Sequence, residues 1–144
     1  MIATARELGI GIVAYSPLGR GFLSATFSSI EELAPVDYRR NRPRFSEENF
    51  EQNIQKAFFE YAKKKNCTPA QLALAWLHSQ GDDIFPIPGT KTAARVEENL
   101  GALLVTLSEV ESKEIGLLVS PGQGDRYEAA GMASTFNSRM ENNV

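Results

Sequence analysis

At 144 residues, with 42% hydrophobic and 23% charged side chains, the chain has the make-up of a soluble globular protein large enough for one domain with a core. Its net charge of −3 excludes a whole-molecule attraction to nucleic acid or anionic lipid, so any anion site has to be local. A single cysteine, Cys67, excludes an internal disulfide; with no apolar run near the ~20 residues of a membrane span, no signal-peptide core in MIATARELG and no prenylation box in MENNV, the expectation is a cytoplasmic protein without nucleic-acid or membrane partners.

In chain order, residues 2–8 read as the tail of a helix closed by Gly9 as its C-cap. The β-branched run Ile10 to Tyr15 predicts a strand buried on both faces. SPLGRG follows as a loop. Residues 24–46 are polar, with two prolines and the basic cluster YRRNRPR, and predict a long loop with one short helical turn at SSIEEL. A helix is expected over 47–65, with Phe50, Ile54, Phe58 and Tyr61 on one face. Thr68, Pro69 and Gln71 form a capping box that opens the next helix, whose AQLALAWL is apolar on several faces and is ended by Gly81. Ile84 to Ile87 reads as a second buried strand. A helix over 93–104 is expected to turn Val96, Leu100 and Leu103 inward. Ser108 and Glu111 make a second capping box for a last helix to about Val119. The remainder, 120–144, has little periodicity and is expected to be loose.

Strands alternating with helices predict parallel βαβ units. Two strands are too little sheet for this much apolar helix, and a two-stranded pair leaves unpaired edges. The fold expected is therefore α/β and incomplete, with self-association through the exposed sheet edges.

IFPIPGTKTAARVEENL poses the functional question, because it sets two cations at the mouth of a helix. The loop after a strand lies where α/β proteins bind ligands, and a helix start offers free N–H groups and partial positive charge. Gly89 permits close approach, Thr90 and Thr92 offer hydroxyls, and Lys91 and Arg95 suit a phosphate monoester. The alternative is that both cations are solvated, with Arg95 paired to Glu98 or Asn99. The other strand carries AYSPLGRGFL onto the same rim. Tyr15 could stack on a heterocycle, and Ser16, Leu18, Gly19 and Arg20 suit a diphosphate; alone, this stretch reads as a tight turn with Tyr15 as core filler. Gly9 and Gly11 precede their strand, so they are turn formers and no dinucleotide fingerprint. No residues are singled out as metal ligands.

Together, GIGIVAYSPLGRGFL and IPGTKTAARVEENLGAL resemble the C-terminal part of the aldo-keto reductase family, with the plant auxin-induced-like or perakine-reductase-like branch nearest. RFSEENFEQN and TPAQLALAWLHSQG are similar to the segments between those motifs. The resemblance implies a (β/α)8 TIM barrel of which 1–144 is a C-terminal fragment holding strands 7 and 8 with their helices. It implies an NADP(H)-dependent oxidoreductase that reduces aldehyde or ketone carbonyls by hydride transfer, with a small carbonyl compound as substrate. Tyr15 would stack on the nicotinamide. Ser16, Pro17, Leu18, Gly19 and Arg20 would wrap the pyrophosphate. Gly89, Thr90, Lys91 and Arg95 would hold the adenosine 2′-phosphate, with Glu98 and Asn99 at the adenine. Loop 24–46 would cover cofactor and substrate.

The family's proton-donating tyrosine, with its lysine, aspartate and histidine, comes from the first half of the barrel, which these residues do not match. His78 reads as a helix-end residue, and Tyr38, Tyr61 and Tyr127 have no histidine-plus-lysine constellation. No catalytic residue is assigned, and the isolated chain is expected to be inactive. The alternative is a non-enzymatic remnant that binds a nucleotide, or a partner through its exposed edge.

Overall fold

The computed structural model describes residues 1–119 and 122–135. It divides into two compact units, one formed by Met1–Thr26 with Gln55–Val119, the other by Phe27–Ile54 with Ser120–Val144.

The first unit carries the sheet. Helix α1 (Ile2–Glu7) ends at Leu8, and Gly9 follows with φ +66°, the left-handed turn expected of it. No residue of α1 is buried. Its hold is Arg6, which donates to both carboxylate oxygens of Asp83 at 2.7 and 2.9 Å and to the Gln80 carbonyl at 2.6 Å. Strand β1 (Ile12–Ala14) then pairs in parallel with β2 (Ile84–Pro86), Ile12 opposite Ile84 and Ala14 opposite Pro86.

The strands are shorter than the apolar runs and are not buried on both faces. Ile84 is buried, but Val13 is 61% and Phe85 54% exposed. Helix α4 (Pro69–His78) packs on β2, and side chains alternate across a strand, so the face carrying Val13 and Phe85 is left bare. The edges also differ. Ile12 N–H donates to Asp83 O and Ile87 N–H to Ala14 O, so in this ladder Val13 turns its backbone groups outward, as do Ile84 and Pro86. The Ile84 N–H already donates to Gly81 O at 3.2 Å, and a proline has none. The outer edge of β2 can therefore accept hydrogen bonds but not donate them.

Helix α4 (Pro69–His78) is the hub. Its capping box forms as the sequence implies, Thr68 and Gln71 each accepting the other's backbone N–H. It buries Ala70, Leu72, Ala73, Leu74 and Ala75 and packs against α3 (Lys56–Lys64), α5 (Ala93–Leu100) and α6 (Glu109–Leu118). Phe58, Ala62, Leu72, Ala73 and Ile115 make the core. The second capping box, Ser108 with Glu111, opens α6, and Trp76 Nε1 donates to Ser112 O at 2.8 Å. Helix α4 stops at His78, three residues before Gly81.

Two helix expectations need correction. The helix over 47–65 is two helices, α2 (Glu47–Asn53) and α3, because Ile54 is extended (φ −74°, ψ 120°) and Gln55 is non-helical. Phe50 and Phe58 are both buried, but in separate units. Helix α5 ends at Leu100 and continues as a 3₁₀ turn over Gly101–Leu104. Val96, Leu100 and Leu103 are 43, 59 and 67% exposed rather than inward. They line an open groove of about 350 Å³ with Leu74, Pro86 and Pro88, an apolar face to which nothing in this unit is applied.

The second unit is built on rings and arginines. Phe27, Phe45 and Phe50 pack with centroids 5.7–6.4 Å apart, and Leu33 is buried with them. The expected turn at SSIEEL is a 3₁₀ turn over Ile30–Glu32, and further 3₁₀ turns cover Tyr38–Asn41 and Pro43–Phe45. Asn53 accepts the Gln123 N–H at 2.7 Å and donates to Gln123 O at 3.0 Å. A short helix α7 (Ala129–Met132) follows. Of the tail expected to be loose, 120–121 and 136–144 lie outside the described residues.

Candidate functional site

Parallel pairing puts the ends of both strands on one side of the sheet, and the Ile87 N–H bonded to Ala14 O at 3.3 Å locks the two exits together. The loops starting at Tyr15 and at Ile87 therefore leave from the same rim.

The Tyr15 ring is 59% exposed, not core filler. Arg20 donates to its hydroxyl at 3.2 Å, which keeps a cation beside the aromatic plate. Between them the chain is tightly wound: Gly19 N–H bonds to Ser16 O and Gly21 N–H to Leu18 O, each at 2.9 Å. Ser16 and Arg20 take φ of +53° and +57°. Left-handed backbone costs a non-glycine residue roughly 1–2 kcal/mol, and such strain concentrates at ligand sites. Gly19, at φ +58°, supplies the same region without that cost. Sequence reading marks this loop by its Pro-Gly chemistry; the left-handed serine and arginine have no signal there. A cavity of about 320 Å³ opens beneath, lined by Ala14, Tyr15, Ser16 and Pro17 at the rim and by Phe58, Trp76 and Ile115 from the helices.

On the other strand, Thr92 is the N-cap of α5, accepting the Arg95 N–H at 3.4 Å. Thr90 Oγ1 donates to Thr92 O at 3.2 Å, so both hydroxyls also shape the loop. The first helical N–H groups, of Ala93 and Ala94, have no intrahelical acceptor. A Cβ on Gly89 would meet nothing within 4 Å, so its backbone faces open space. The first turn of α5 holds no acidic residue. Among the described residues, neither Lys91 nor Arg95 forms an ion pair or a side-chain hydrogen bond; the pairing of Arg95 with Glu98 or Asn99 does not occur. Two cations against the positive end of a helix dipole are unfavourable unless an anion joins them. Asn99 lines the groove beside α5, and Glu98 is half-buried on the same turn.

The sequence matches the family described as Aldo/keto reductase over residues 1–118. The chain belongs to the aldo/keto reductase family. Its members are oxidoreductases that generally draw on NAD(P)H and act on small carbonyl compounds. A solved structure whose description names 2,5-diketo-D-gluconic acid reductase B shares the fold, with a TM-score of 0.55 and 23% identity, covering 89% of this chain. The match spans 38% of that chain, so this chain covers well under half of the length of that structure. Nothing in that comparison singles out a plant branch.

Other ionisable groups of this aldo/keto reductase chain are occupied locally. Burial raises the Cys67 thiol above its ordinary range, away from thiolate chemistry at neutral pH. The Tyr61 hydroxyl, raised by burial and by its 3.1 Å bond to Glu114, stays protonated. Tyr38 and Tyr127 both lie under the Arg42 guanidinium. His78 is exposed at the end of α4. Among the described residues no group of three or more His, Cys, Asp or Glu could hold a metal ion, and no helix is long and apolar enough to cross a membrane.

Proposed function

We propose that the chain is the NADP(H)-binding part of an aldo-keto reductase that reduces aldehyde or ketone carbonyls. The observation that carries this reading is the pair Lys91 and Arg95, unpaired at the acid-free start of α5 and on the same sheet end as Tyr15. The residues fit the cofactor. Lys91, Arg95 and the free amides of Ala93 and Ala94 would take the 2′-phosphate, with Gly89 and Thr90 beside it. The wound loop of Ser16, Pro17, Leu18, Gly19 and Arg20 would take the pyrophosphate. Tyr15 would offer its exposed ring to the nicotinamide, with Glu98 and Asn99 at the adenine. The cofactor supplies the hydride; these side chains bind and orient, and none of them moves a proton.

The chain on its own is proposed to be inactive toward carbonyls. The tyrosines seen here are either held protonated by burial and a carboxylate, as Tyr61 is, or covered by an arginine, as Tyr38 and Tyr127 are, and Tyr15 is bonded to Arg20. NADPH titration by fluorescence tests the binding reading. Wild type is expected to bind NADPH more tightly than NADH, and Lys91→Ala with Arg95→Ala to erase the difference; equal affinities in wild type would sink the reading. Turnover of a generic aldehyde by this chain alone would refute the inactivity.

A second reading, self-association, is favoured by the bare sheet face and the outward backbone of Val13 at the β1 edge. The outer edge of β2, without donors, cannot pair with its own copy. Val13→Pro removes the outward donor of β1 and is expected to yield monomer in sedimentation velocity; a wild type that is monomeric at all concentrations excludes the reading. The cytoplasmic assignment is likewise proposed, on the single cysteine, Cys67.

A further inference from the structure

We infer that Gln71, which lies outside the nucleotide rim, is a positioning residue for it. Its single side-chain amide caps α4 and at the same time fixes the turn of α5 that presents Glu98 and Asn99. This rests on the cofactor reading above and adds a residue to it.

The two ends of the amide have different tasks. Oε1 accepts the Thr68 N–H at 3.0 Å, closing the capping box of α4. Nε2 donates to the Glu98 carbonyl at 3.1 Å. That carbonyl lies in the last turn of α5, where the helix passes into the 3₁₀ turn over Gly101–Leu104. Helix α5 has no buried residue, so its placement depends on such discrete ties more than on packing. Gly101 gives an independent sign that the amide's place is reserved. Its backbone is helical, φ −59° and ψ −18°, a conformation any residue adopts. A Cβ there would collide with Gln71 Nε2 and come within 3.3 Å of its Cδ. Glycine at this position serves the space that the amide fills, not the backbone.

Because the two ends are separable, so are the predictions. Gln71→Glu keeps an acceptor for Thr68 N–H, and glutamate is an equally good capping-box residue, but it cannot donate to Glu98. Gly101→Ala leaves Gln71 intact and displaces its amide. The probes are adenosine 2′,5′-bisphosphate and nicotinamide mononucleotide, titrated calorimetrically into wild type and both variants. Each variant is expected to lose about three- to tenfold in affinity for the adenosine probe, the worth of one amide–carbonyl hydrogen bond, and to keep its affinity for the mononucleotide. Amide exchange is expected to speed up over 99–102 and to stay unchanged in α4. Unchanged adenosine-probe affinity in both variants, while Lys91→Ala weakens it, overturns the inference and leaves the cofactor reading standing. Equal losses for both probes also overturn it, since they mark a general destabilisation. If wild type does not bind the adenosine probe, the cofactor reading itself falls, and the role of Gln71 with it.

Discussion

The two units use their cations in opposite ways. In the second unit each arginine of the cluster YRRNRPR has a carboxylate, carbonyl or ring partner, although the buried Arg42 Nε itself has no hydrogen bond. Arg39 donates to both oxygens of Asp37 and sits 5.1 Å over the Phe27 ring. Arg40 donates to the carbonyls of Leu33, Ala34 and Glu31. Arg42 pairs with Glu128 at 3.0 Å while covering two tyrosines, and Arg44 Nε donates to Gly124 O. In the first unit Lys91 and Arg95 have no such ties and stand at the helix end where positive charge is least welcome. Arginines already bound to carbonyls and carboxylates hold a loop in shape; cations without partners are left open to one. Local charge density does not separate these cases, whereas hydrogen-bond satisfaction does.

The strongest challenge to this contrast is a charge reversal. Arg95→Glu is expected to lower NADPH affinity by on the order of a hundredfold, since it removes a charge-assisted bond and adds repulsion. The same change should stabilise the free protein by a few tenths to about 1 kcal/mol, because an acid suits the first turn. Affinity and melting temperature moving in the same direction would mean that Arg95 is structural. Next in size is Arg40→Met, which strips the loop carbonyls of their donor and is expected to cost about 1–3 kcal/mol of stability, with NADPH affinity unchanged. A drop in affinity without loss of stability would place Arg40 among the ligand-binding cations instead.

The smallest effect lies in acid. Lys65, with help from Ser108, lowers the Glu111 carboxyl from 4.5 to about 2, and Arg39 lowers Asp37 from 3.8 to about 2. A carboxylate whose pKa is depressed on folding stabilises the fold above its unfolded value and loses that contribution as pH falls toward its folded one. Urea midpoints should therefore decline between about pH 5 and pH 2. Glu111→Gln, which retains the capping box but not the ion pair, is expected to show a shallower decline and to meet wild type near pH 2. The gap should narrow in high salt, because each side chain keeps a quarter or more of its surface in water.

Much of the first unit was legible in the residues. Thr68 with Gln71 and Ser108 with Glu111 announce their helix starts because a capping box is a local bond between residues three apart. Gly9 marks its turn because little else tolerates a left-handed backbone. The rim residues were legible as types: an aromatic at a strand end, a Pro-Gly loop, two cations by a helix start. The failures are all tertiary. Ile54 continues the apolar period of its helix, yet the helix breaks there because Phe50 and Phe58 are buried in different cores. Val96, Leu100 and Leu103 have the spacing of an inward face, but periodicity cannot say whether a partner is present to cover it.

By itself, then, the sequence determined the capped helix starts, the places of the two strands and the family, since each depends on short local patterns. Only the tertiary structure decided which cations are already paired, which edge of the sheet lacks donors, and that the Gln71 amide reaches from one helix to the next. Those properties depend on partners dozens of residues away, and no local pattern encodes whether such a partner arrives.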